Sequence, residues 1–166
     1  GKRADLLGYG GAIKALYNKY EKVSGIICHS FGGAAVAYAM YKLDPSMELE
    51  KLVMIGTPSA FSYPVNNGLR TMNAPPMVQK YFIEKIEKVV GMELEKTNFE
   101  YLNPFLKIDK TLIVHDKQDE QVAFAEAENT VKHWKNAELQ VTDGFGHFFL
   151  IKSPEVVERI VDFIKS

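Results

Sequence analysis

The sequence predicts an α/β fold, a mostly parallel sheet flanked by helices, and three observations carry that reading. Four short β-branched runs are spaced along the chain, longer helical patterns lie between them, and one long stretch from about 59 to 106 breaks the alternation. Strand–helix alternation marks a parallel sheet, because a chain that pairs parallel must cross back to the same end through a connection the length of a helix.

Ala12, Leu16 and Tyr20 recur at helical spacing and predict a first helix ahead of the sheet. The first strand is read at Gly25-Ile26-Ile27-Cys28, the second at Leu52-Val53-Met54-Ile55, the third at Thr111-Leu112-Ile113-Val114 and the fourth at Glu138-Leu139-Gln140-Val141-Thr142. The first three are apolar on successive residues, as expected of strands covered by helices on both faces, whereas the fourth alternates and suits an edge. Between the first two, Ala34-Ala35-Val36-Ala37-Tyr38-Ala39-Met40 predicts a helix of small side chains that can lie close to a sheet, stopped by Asp44-Pro45. Between the last two, Ala127, Val131 and Trp134 predict a helix with Glu126, Glu128 and Lys132 turned outward. A closing helix begins with Ser153 as N-cap and Pro154 at its first position, with Val157, Ile160, Val161 and Ile164 as the expected buried stripe.

The stretch from about 59 to 106 is too long for an ordinary connection and must carry its own structure. Pro75-Pro76 opens a helix with Val78, Phe82, Ile86 and Val89 at helical spacing, and Gly91 ends it. Phe61, Tyr63, Met72 and Met77 add aromatic and flexible surface nearby. Because this insertion follows a strand end, where ligand sites of α/β sheets lie, the expectation is a helical lid over a binding site. The whole chain, 1–166, reads as one core carrying that lid.

Composition excludes several classes. Of the 166 residues, 46% are hydrophobic and 25% charged, and 20 Lys plus Arg nearly cancel 21 Asp plus Glu. No basic field collects nucleic acid, and no apolar run approaches membrane-spanning length, so a small neutral ligand fits best. The lone Cys28 forms no internal disulfide, which points to a reducing, cytoplasmic setting, and the four histidines do not cluster at metal-ligand spacing. No metal or other cofactor is expected, and no dinucleotide or phosphate loop is present.

Three motifs carry chemistry. In Ile26-Ile27-Cys28-His29-Ser30-Phe31-Gly32-Gly33 an apolar strand turns directly into a helix with a serine at the corner. Residues two before and two after such a serine must be small; Gly32 satisfies this, and Cys28 is small. The second is Leu112-Ile113-Val114-His115-Asp116-Lys117-Gln118-Asp119-Glu120-Gln121-Val122, a strand entering an acidic turn. The third is Asp143-Gly144-Phe145-Gly146-His147-Phe148-Phe149, where glycines let the loop bend His147 over the strand ends.

With these motifs the chain resembles the α/β-hydrolase superfamily, in particular its lipase, esterase and lysophospholipase-like members, whose elbow is commonly written G-x-S-x-G with Cys28 standing at the first glycine. The resemblance extends over essentially the whole chain in the order serine, acid, histidine. It implies Ser30 as nucleophile, His147 as general base and Asp119 as the orienting acid, from the pattern H-G-x-x-D-x-x-V, with Asp116 as the alternative acid. It also implies that the backbone N–H of Phe31 donates to an oxyanion.

The four strands resemble the fifth to eighth of that fold, so the resemblance implies that its N-terminal strands, and a second oxyanion donor, precede Gly1. The first strand would then be an edge, through which the chain is expected to associate with a second copy. The implied activity is cleavage of a carboxylic ester with an apolar acyl or alkyl group through an acyl-enzyme. A thioesterase or peptidase using the same triad, and a non-catalytic hydrolase-like binding module, are the alternatives.

Overall fold

The computed structural model describes residues 5–166. Its apolar runs pair into one four-stranded, all-parallel sheet in the order β1 (Gly25–His29), β2 (Glu48–Ile55), β3 (Lys107–Asp116) and β4 (Ala137–Thr142). The register sets Cys28 beside Met54, Ile55 beside Val114 and Asp116 beside Thr142, so the C-terminal ends of all four strands finish along one rim. Everything described below hangs from that rim.

Between the strands run α1 (Leu6–Lys19), α2 (Phe31–Tyr38), α3 (Ser62–Thr71), α4 (Pro76–Val90), the short α5 (Phe99–Leu102), α6 (Phe124–His133), the one-turn α7 (Gly146–Phe149) and α8 (Pro154–Lys165). A π-helical turn, Ala39–Leu43, continues α2 as far as Asp44. Successive residues of β2 and β3 point to opposite faces. Leu52, Met54 and Ile113 pack with Val36, Met40 and Trp134, while Val53, Ile55, Leu112 and Val114 pack with Val156, Ile160 and Phe163. Each such side chain removed from water contributes about 1.5–3 kcal/mol.

β2 and β3 are covered on both faces as expected, but β1 is not: Ile27 is 56% exposed. β1 lies at the edge of the sheet, with the Ile164 side chain of α8 near Gly25.

The helices form where their periodicity placed them, yet three of them are rotated about their axes from the expected faces. In α8 the buried residues are Val156, Ile160 and Phe163, with Val157, Val161 and Ile164 substantially exposed. In α4, Val90 is buried while Val78, Phe82 and Val89 are exposed. In α1 the inner face is Leu6 and Gly10, with Ile13 and Tyr17 packed on the core, and Leu16 and Tyr20 lie outside. Each helix has apolar residues on both flanks of its true stripe, so periodicity admits more than one rotation.

Two smaller expectations also change. Ser153 occupies the N-cap position of α8, but its side chain makes no capping hydrogen bond. Glu126 turns inward, where Oε2 accepts hydrogen bonds from Ser59 N at 3.0 Å and Ser59 Oγ at 2.6 Å. Among the described residues no helix is long and apolar enough to cross a membrane.

Candidate active site

Ser30 follows β1 without a linking residue and opens α2. Its backbone has φ 53° and ψ −124°, a region that side-chain-bearing residues rarely occupy and that persists only where neighbours enforce it. The enforcement is visible: Ser30 N donates to Ile55 O at 2.8 Å, and Gly33 N donates to Ser30 O at 3.2 Å. A Cβ on Gly32 would sit 3.2 Å from Cys28 Cβ, and one on Gly33 only 2.3 Å from Thr57 Cγ2, so the corner tolerates little bulk. Cys28 is accommodated by burying its thiol, which donates to Val53 O. Burial pushes that thiol up to about 12, so it is no nucleophile near neutral pH. Phe31 is the first residue of α2, and a first-turn N–H has no carbonyl partner within its own helix.

Asp119 and His147 come from different rim loops and meet. His147 Nδ1 lies 2.7 Å from Asp119 Oδ2, and both residues are buried. A carboxylate can only accept, so Nδ1 carries the hydrogen and Nε2 of the neutral ring is left to take a proton. The other oxygen, Asp119 Oδ1, accepts from Gln121 N at 2.9 Å and Val122 N at 2.8 Å, which fixes the plane of the carboxylate.

Asp116, the alternative acid, has no bond to His147 and a different set of partners. Its oxygens accept from Thr142 Oγ1, Gln118 N, Gly144 N, Phe145 N and Gly146 N. Burial alone pushes this carboxyl up, but the donors, led by Thr142, Phe145, Gln118 and Gly146, outweigh it and hold it at about 2. Three of the five belong to the loop that delivers His147, where Gly144 at φ 102° and Gly146 at φ 61° make the bend that other residues resist. Asp116 therefore anchors that loop.

Two residues that sequence reasoning left aside also touch the pair. His29 Nε2 lies 3.0 Å from the carbonyl oxygen of His147, to which it must donate, and the two rings are 4.7 Å apart. Burial is the main cause that lowers the His29 pKa, against the hydrogen bond to the His147 carbonyl, which raises it. Gly56, at φ 54°, backs the pair: a Cβ there would lie 3.2 Å from His147 Nδ1 and 3.3 Å from Asp119 Oδ2. The only sequence signal for Gly56 is a glycine directly after a strand.

Ser30 and His147 line one cavity of about 610 Å³, whose walls include Phe31, Pro58, Val122 and Phe148. Its far side is α3, which contributes Tyr63, Pro64, Asn67, Gly68 and Thr71, spaced so that they share a helix face, with Met72 following at the C-cap. A serine, an imidazole with a free nitrogen and a mostly apolar hollow are a set suited to acyl transfer.

No family model matches the sequence, and no curated protein matches it. Solved structures do. An esterase from Exiguobacterium antarcticum is 18% identical, with all of this chain covering 78% of that one at a TM-score of 0.67. A bromoperoxidase from Bacillus anthracis is 19% identical, with coverages of 100% and 78% and a TM-score of 0.65. An α/β-hydrolase enzyme from a sediment metagenome of the Mar Chica lagoon is 20% identical, with coverages of 95% and 68% and a TM-score of 0.62. The parallel sheet flanked by helices in this chain is thus that of the α/β-hydrolase fold.

Proposed function

We propose, from an α/β-hydrolase fold with Ser30 at its strand-end corner, that this protein is a serine hydrolase cleaving a small carboxylic ester through an acyl-enzyme. The observation that carries the reading is the buried 2.7 Å bond between His147 Nδ1 and Asp119 Oδ2 on the wall of the cavity that Ser30 also lines. In this reading His147 Nε2 removes the proton of Ser30 Oγ as the oxygen attacks the ester carbonyl carbon. The Phe31 N–H stabilises the negative oxygen that develops. His147 then returns the proton to the departing alcohol, leaving an acyl group on Ser30. Water, deprotonated by the same nitrogen, releases the acid and restores the serine. Asp119 holds the ring in the tautomer both steps require.

The helical stretch between β2 and β3 acts as a lid, and the walls at Phe31, Tyr63, Pro64, Met72 and Phe148 favour an apolar acyl or alkyl group. Esterase activity in structural relatives supports the reaction class. Labelling with a fluorophosphonate and mapping the adduct by mass spectrometry tests the proposal. An adduct on Ser30 that disappears in His147→Ala, together with turnover of a p-nitrophenyl ester, is the expected result. An active preparation that carries no label on Ser30 overturns it.

A further inference from the structure

The mechanism above leaves one buried histidine unused. His115, the penultimate residue of β3, is fully buried. Its Nε2 lies 2.9 Å from the carbonyl oxygen of Val122 and 3.5 Å from Asp119 Oδ2, while its Nδ1 meets no hydrogen-bond partner. A carbonyl oxygen only accepts, so the hydrogen sits on Nε2 and points at Val122 O, with Asp119 Oδ2 on the flank of the same hydrogen. The edge of the Phe124 ring region packs against the imidazole, centroid to centroid at 6.0 Å, and helps to fix its orientation.

We infer that His115 is a positioning residue that holds the Asp119–Val122 turn in the shape the acid needs. The inference rests on the assignment of Asp119 and His147 proposed above. Val122 is the link: its N–H donates to Asp119 Oδ1 at 2.8 Å, and its carbonyl receives the His115 hydrogen from the other direction. One residue is therefore pinned through the peptide groups on both of its sides. Removing the imidazole N–H leaves a buried carbonyl without a partner, and such a group turns toward any donor or water it can find. Reorientation of the Val122–Ala123 peptide turns the backbone at Val122, whose own N–H donates to Asp119 Oδ1, and the carboxylate then loses part of its alignment on His147 Nδ1. Because Val122 also lines the cavity, the turn transmits the same disturbance to the wall beside Ser30.

The test compares His115→Gln with His115→Asn in the full protein. Glutamine carries an N–H about where Nε2 stands; asparagine carries it near Nδ1, short of Val122. With a p-nitrophenyl ester, His115→Asn is expected to lower kcat by about ten- to a hundredfold, the range seen when a group that orients a reactive ligand is removed, with KM changed by no more than about twofold. His115→Gln is expected to recover most of that loss. Thermal melts of both variants ensure that folded protein is compared, and a variant that is folded only at low temperature is assayed there. Equal kcat in the two variants, or a loss carried by KM alone, overturns the role of His115 even when wild-type protein is labelled on Ser30. Active wild-type protein without label on Ser30 instead overturns the triad.

Discussion

Two regions face the cavity across Ser30, and they are built on different principles. On one side, the turns 116–122 and 143–147 are tied by short bonds between distant parts of the chain: Asp116 alone gathers five donors, and Asp119 gathers three. On the other side stands α3, with α4 following it, and the two are held by fewer ties: Ala123 N donates to Tyr63 Oη, Ser62 N to Thr97 Oγ1 and Tyr38 Oη to Val90 O. Met77 is 84% exposed and Tyr81 61%, and a Cβ on Gly68 would meet open space. The first region is over-determined and the second loosely held, so substitutions should register as lost rate or stability in one and as altered selectivity in the other.

The strongest way to break this comparison is at the reacting groups. Ser30→Ala and His147→Ala are each expected to lower ester turnover by about a millionfold, and Asp119→Asn by about ten-thousandfold, because in the proposed mechanism the acid only orients the base. Steady-state kinetics on one p-nitrophenyl ester check the order; Asp119→Asn at wild-type rate would remove the acid from the triad.

Asp116→Asn sharpens the contrast from the stability side. An amide cannot accept from all five donors, so a loss of about 1–3 kcal/mol is expected in thermal or urea unfolding. Its pH dependence has a definite sign. The folded carboxyl is held at about 2, below its ordinary 3.8, so its stabilisation is complete above the ordinary value and disappears as pH falls toward the folded one. The melting curves of wild type and Asp116→Asn should therefore separate at neutral pH and converge between these two values. A constant gap across that window would show that the carboxylate charge contributes nothing.

In the loosely held region, Gly68→Leu fills part of the α3 wall. It is expected to lower turnover of an octanoate ester about tenfold relative to an acetate ester, the size of effect that a few methylenes exert in an apolar pocket. An equal loss on both esters would make α3 a structural element rather than a selective one. The smallest expected effect lies away from the cavity, at the β1 edge. Light scattering at micromolar concentration should find self-association of the 166-residue chain that Ile27→Lys abolishes without affecting the melt. A wild-type monomer at that concentration would argue that the edge is inert.

The strands were legible because their apolar residues are consecutive and their neighbours polar or helical, a pattern with one economical solution. Helix faces were less so: Val157 and Val161 compete with Val156 and Phe163 for the inner side of α8, and only the shape of the sheet chooses between them. In the site, the motifs named Ser30, Asp119 and His147, and the fold brings the last two into contact and the first onto their cavity. Asp116 was legible as an acid but not as an anchor, since its donors at Thr142 and residues 144–146 lie a strand and a helix away in sequence. Gly56 and the His29 clamp were hidden for the same reason, because each acts on a loop that sequence proximity does not reveal.

Gly56 has a consequence for motion. A Cβ on Gly56 would crowd His147 Nδ1 and Asp119 Oδ2, so the neighbour on that side of the imidazole is main chain and not a side chain that could change rotamer. Phe148, next in the chain, stands 64% exposed with its ring 5.0 Å from that of His147. The rings nearest the imidazole, His29 at 4.7 Å and Phe148 at 5.0 Å, line the same cavity, so any change in the rotamer of His147 is felt at the cavity wall.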